Sequence, residues 1–118
     1  MRSIVDLIND YLAALRTNDP TLILKCFTPD ARIISPTYGE MPAQDFYRKL
    51  CADTESVTIA VHGIHPSASD PAVCIAHFEY LWVLKDGNKK SLVILDHFRV
   101  AGDRIKSLRI FADIRRDA

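Results

Sequence analysis

Asp96, within the stretch SLVILDHFRV at residues 91–100, is the carboxyl group of this 118-residue chain whose surroundings most call for a chemical explanation. With the two-residue period of a strand, Leu92, Ile94, Asp96, Phe98 and Val100 share one face, which is apolar apart from that single carboxyl. A carboxyl removed from water is unfavourable as an anion unless it is paired or hydrogen-bonded, and otherwise it is kept neutral by a raised pKa. Tyr11 supplies a second inward-facing polar group, because Ile4, Leu7, Ile8, Tyr11, Leu12 and Leu15 follow helical spacing. In the strand AVCIAHFEYLWVLK, Phe78, Tyr80 and Trp82 alternate on one face with Ala76 and Leu84. They read as cavity lining or core; no basic groove accompanies them of the kind that turns aromatic side chains into a nucleic-acid stacking platform.

The elements that must position these residues follow from capping and periodicity. Ser3 with Asp6 starts the first helix, and TNDP breaks it. Asp19 caps and Pro20 opens a second short helix through about Phe27, which Pro29 ends. ARIIS reads as a short strand, PTYGEMP as a turn-rich loop, and PAQDFYRKLC as a third helix beginning at Pro42 and carrying Phe46, Tyr47 and Leu50. From Ser56 onward, VTIAVHGIH, AVCIAHFEYLWVLK, SLVILDHFRV and RIKSLRIFADI are rich in β-branched and aromatic residues and are separated by turn formers, so four consecutive antiparallel strands are expected. Helices followed by strands indicate an α+β fold, a single domain over residues 1–118 in which three N-terminal helices pack on a curved antiparallel sheet to make a cone. Both faces of the AVCIAHFEYLWVLK strand are substantially apolar, which a homodimer through the outer sheet face would cover.

Composition narrows the function classes. Lys plus Arg and Asp plus Glu both total 15, so no global field favours nucleic acid or an acidic membrane. The N-terminus, interrupted by Asp6, Asn9 and Asp10, lacks the apolar core of a signal peptide, and no apolar run is long enough to span a bilayer. Cytoplasm is the expected location. Cys26, Cys51 and Cys74 are far apart with no CxxC pair, and read as buried thiols. His62 and His65 have a spacing that suits a metal pair on a helix better than on a strand, so no metal and no cofactor is expected. His77 with Glu79, and His97 with Arg99, fall on the face opposite the proposed cavity.

The order DYLAALRTNDPTLILKCFTPDARIISP, then DFYRKL, then LDHFRVAGDRIKSLRIF resembles the ketosteroid isomerase branch of the NTF2-like, or SnoaL-like, superfamily over nearly the whole chain. In that family a helix-one tyrosine and a neutral aspartic acid on the D-H-F strand donate hydrogen bonds to a developing enolate oxygen, a site logic for which ketosteroid isomerase is itself the type case. The resemblance implies these roles for Tyr11 and Asp96, and for Tyr47 that of supporting Tyr11 through a hydrogen bond. Asp96 remains open to a second reading, a buried carboxyl satisfied by Tyr11 or by backbone. The family's general base, an aspartate just before a proline, is here Ser35 before Pro36, and the loop after Pro36 is shorter than in the isomerases. A hydroxyl without its own base does not take a proton from carbon at neutral pH. Glu40 is the only close carboxylate able to substitute.

The expected site therefore comprises Tyr11, Asp96, Tyr47, Ser35 and Glu40 for chemistry and Phe78, Tyr80, Trp82 and Phe98 for lining. The expected ligand is a small hydrophobic carbonyl compound or phenol. Isomerase-type proton transfer and a non-catalytic, homodimeric binding or scaffold module both remain open, and a cyclase or epoxide-opening enzyme is a third reading that needs an acid and a base facing each other.

Overall fold

The computed structural model describes residues 2–114. Helix α1, Ile4–Arg16, starts where the Ser3 hydroxyl accepts the Asp6 N–H at 3.0 Å, and its buried stripe is Leu7, Ile8, Tyr11, Leu12 and Leu15. Asn18, with φ of 54°, turns the chain, and its side-chain amide donates to the carbonyls of Cys51 and Thr54 at the end of the third helix. Asp19 caps α2, Pro20–Leu24, through the Thr21 N–H at 2.9 Å.

Helix α2 is shorter than expected, because Phe27 already opens β1, Phe27–Ser35. Pro29 lies inside that strand and does not end a helix. It falls where the ladder to the last strand shifts register, between Phe27 and Arg32, so its missing N–H removes no ladder bond. The loop expected at PTYGEMP contains a further strand, β2, Gly39–Pro42, which returns antiparallel along β1 from a turn closed at Gly39, with φ of 79°. Pro42 is the residue before α3, Ala43–Asp53, whose first residue is Ala43.

The four later strands form as expected: β3 Thr54–Pro66, β4 Val73–Leu84, β5 Lys89–Ala101 and β6 Arg104–Ile114. The order across the six-stranded sheet is β2-β1-β6-β5-β4-β3. All neighbours are antiparallel except β1 and β6, which run parallel, so the expected antiparallel sheet is mixed at that junction. The parallel pair joins strands that are far apart in sequence, and no local pattern announces it. The sheet is curved and unclosed, and the helices lie against its inner face, as an α+β cone requires.

The inner face is set by register, because residues directly opposite one another in a ladder share a face. Cys74–Phe98, Ala76–Asp96, Phe78–Ile94 and Tyr80–Leu92 face inward on β4 and β5, and Asp96 and Phe98 continue to Ile110 and Leu108 on β6. Trp82 also faces inward, and its indole N–H donates to Thr54 Oγ1 at 2.7 Å while that hydroxyl donates to the Leu50 carbonyl at 2.6 Å. A buried indole N–H is thereby satisfied at the junction of α3 and β3. Cys51 and Cys74 are buried and Cys26 half-buried, all as free thiols, and burial pushes the Cys51 thiol up to about 11.

Candidate functional site

Between the helices and the inner sheet face lies a small cavity, open at its mouth. Tyr11 reaches it from α1, Ser35 from the end of β1, Phe78, Tyr80 and Trp82 from β4, and Asp96 from β5. Apolar side chains supply most of the rest, including Phe46, Leu50, Leu92, Ile94 and Ile110.

Asp96 is 1% exposed, and its Oδ1 has no hydrogen-bond partner among the described residues. The strand neighbours opposite it, Ala76 and Ile110, offer no polar side chain, and the small Ala76 leaves the carboxyl room. Loss of hydration therefore pushes its pKa well above the usual carboxylate range. The reading in which Asp96 is satisfied by Tyr11 or by backbone does not describe Oδ1. A buried carboxyl oxygen without a partner, on a residue that lines an apolar cavity, is left with unused hydrogen-bonding capacity.

Tyr11 Oη and Tyr47 Oη lie 2.6 Å apart, both fully buried, and burial raises both phenols well above their ordinary value. Either oxygen can donate; when Tyr47 donates to Tyr11, the Tyr11 proton is free to face the cavity. Asp96 is close enough that its charge would further disfavour a phenolate at Tyr11, Tyr47 or Tyr80. Burial thus disfavours the charged forms of all these groups.

Ser35 lines the cavity, but its hydroxyl oxygen is engaged in the turn, accepting the N–H groups of Thr37 at 3.0 Å and Tyr38 at 3.2 Å. It shapes the wall and is no base. Glu40 is not brought to the site. It stands opposite Ile34 in the ladder, on the outer face, where its exposed carboxylate meets Arg32 Nε at 3.4 Å. No His, Lys, Arg, Glu or Cys lines the cavity, and Asp96 is its one carboxyl among the described residues.

Two expected site residues lie behind the wall. Tyr47 is hydrogen-bonded to Tyr11, and Phe98 packs its ring against Tyr11 at 5.3 Å, so both support the cavity without lining it. Sequence reasoning missed Pro36, Thr37 and Tyr38, because side-chain direction in a turn follows no period. Leu92 and Ile94 were legible as partners of Asp96 on its strand face. His62 occupies a bulge between Val61 and Gly63 and turns to the outer face, where its Nε2 meets Glu79 Oε2 at 2.7 Å and its ring neighbours His77. No group of three metal-ligating side chains occurs among the described residues.

The profile of the SnoaL-like domain family matches residues 8–108, and the chain belongs to that family. Among curated proteins no match is found. An NTF2-like protein from Burkholderia thailandensis is 20% identical, with a TM-score of 0.77 over 96% of this chain and 92% of that one. A protein of ketosteroid isomerase-like fold from Catenulispora acidiphila, solved with trimethylamine, is 14% identical, with a TM-score of 0.78 over 93% and 86%. The epoxide hydrolase/cyclase-like enzyme SalBIII, of pyran ring formation in the polyether salinomycin, is 14% identical, with a TM-score of 0.79 over 92% and 89%. At these identities the likeness is one of fold.

Proposed function

We propose that this SnoaL-like domain binds a small hydrophobic carbonyl compound or phenol, whose oxygen accepts hydrogen bonds from protonated Asp96 and from Tyr11. The observation that carries the reading is Asp96, which lines a largely apolar cavity and keeps a buried Oδ1 without a hydrogen-bond partner. Tyr47 orients Tyr11, and Phe78, Tyr80 and Trp82 provide flat apolar walls. Such donors polarise a carbonyl and favour an enolate-like state, the requirement for proton transfer beside it. Isomerase-type turnover also needs a base, and neither Ser35 nor Glu40 is placed to serve, so binding is the primary activity. Epoxide opening or cyclisation, the context of SalBIII, could use Asp96 as an acid but equally lacks a facing base.

Trp82 is the single tryptophan and lines the cavity, so its fluorescence reports occupancy. Titration with 2-naphthol and with 2-methylnaphthalene separates oxygen recognition from apolar burial. The naphthol is expected to bind at least ~10-fold more tightly, about 1.4 kcal/mol. Equal affinities would contradict the donor site.

The outer sheet face supports the homodimer reading. Leu81, Leu95 and Phe111 are 43%, 43% and 49% exposed there, and Leu95 stands directly opposite Phe111. A second copy packed face to face would cover them. Sedimentation equilibrium should return twice the chain mass; a monomer at all concentrations would count against it.

A further inference from the structure

Tyr38 is the large side chain at the mouth of the cavity. The exposed lining residues are Pro36, Thr37 and Ala112, so the opening lies beside the β1–β2 turn, and Tyr38 stands half-buried at its edge. Its ring packs edge-on against Phe46, which also lines the cavity, with centroids 5.8 Å apart. Its hydroxyl donates to Asp53 Oδ2 at 2.8 Å, and Lys49 Nζ reaches the same oxygen at 3.1 Å. Asp53 is the last residue of α3, and its backbone carbonyl accepts the Lys85 N–H at 2.9 Å from beyond β4. The anchor is therefore tied to both helix and sheet, and the backbone of the turn that carries Tyr38 is held by the Ser35 hydroxyl, which accepts the N–H groups of Thr37 and Tyr38.

We propose that Tyr38 is the gate of the cavity, latched by its hydrogen bond to Asp53, and that breaking this latch lets the Tyr38 side chain swing aside to admit and release ligand. The inference depends on the binding reading above for its purpose, though not for its first test. The latch is suited to the task because it is partly solvated, joins a short turn to a fixed helix end, and can be broken without exposing the Tyr11–Tyr47 pair. It also gives Ser35 a function in this chain. The residue at the family's base position fixes the inner end of the gate, and the hydroxyl oxygen it uses for this is the atom that a base would have to offer.

Acrylamide, a neutral quencher, tests access to Trp82 with no ligand present. Tyr38→Phe keeps the ring and its contact with Phe46 while deleting the latch, and Asp53→Asn weakens the latch from the other side. In both variants the bimolecular quenching constant of Trp82 is expected to rise at least threefold, with the thermal midpoint held within a few degrees. Unchanged quenching in both variants would overturn the gate, as would a rise seen only with a collapse of the midpoint. Stopped-flow mixing with 2-naphthol gives the second readout: association and dissociation should accelerate together by a similar factor, leaving affinity within about twofold of the parent. If the naphthol fails to bind while quenching still responds, the ligand reading falls and the gate stands. If it binds with parent rates in both variants, the gate falls and the ligand reading stands.

Discussion

Replacing Ser35 by Asp is expected to raise proton transfer on a Δ5-3-ketosteroid by ~10²–10⁴-fold over the parent protein, the usual worth of a positioned general base. Under the proposed reading Tyr11 and Asp96 supply the donors for the enolate oxygen, and Ser35 lines the same cavity. An aspartate there has two oxygens, one to replace the hydroxyl as acceptor of the Thr37 and Tyr38 N–H groups and one to face the substrate. With Asp96 neutral, the new carboxylate does not meet a like charge, which would otherwise raise its pKa and blunt its basicity. The check is a side-by-side assay of the two proteins, with Ser35→Asn as a shape control. Activity in the parent equal to that of the variant would mean a base exists that the cavity's described lining does not contain. Activity in neither would restrict the family likeness to the fold.

Asp96→Asn is the second large effect, and it appears in stability. Asp96 has a folded pKa raised by burial, so above the unfolded value of about 4 the unfolded chain has lost a proton that the folded protein still holds. The unfolded state then binds fewer protons, and stability falls as pH rises through the interval between the two values, by about 1.4 kcal/mol per pH unit. The penalty is absent below the unfolded pKa and reaches its full size above the folded one. Asparagine has the same shape, keeps a donor and does not ionise. Urea unfolding from pH 4 to pH 8 should therefore show Asp96→Asn gaining on the parent as pH rises, the gap widening by that slope until the folded pKa is passed, while 2-naphthol affinity at neutral pH changes far less. Parallel pH profiles would mean that Asp96 is ionised in the folded protein.

Much of the fold was legible because its signals are local. The Ser3 cap, the Asp19–Pro20 restart and the alternation along β3 to β6 each reside in a few adjacent residues, and each is found where the sequence puts it. The parallel join of β1 to β6 depends on residues 75 or more positions apart, as in Ile33 with Leu108, and the four-residue β2 is too short to show a period. The site divides in the same way. Asp96, Tyr11 and the aromatic residues of β4 were marked by residue type against a regular background, and they converge on one cavity. Glu40 is near Ser35 in sequence yet opposite in direction, because the turn through Gly39 returns it to the ladder across from Ile34. Tyr38, which sequence reasoning passed over, points where Glu40 does not. A scaffold reading would fit a cavity filled by Phe78, Tyr80 and Trp82, but these form its walls and leave space beside Asp96.

The most direct test of the account is the protonation of Asp96 itself. The infrared difference spectrum between the parent and Asp96→Asn at neutral pH isolates this carboxyl from the other acidic groups. The account predicts a protonated-acid carbonyl band that is present in the parent, absent in the variant, and shifted when 2-naphthol fills the cavity. A carboxylate band in its place at neutral pH, titrating near pH 4, would contradict the neutral donor and with it the proposed mode of ligand recognition.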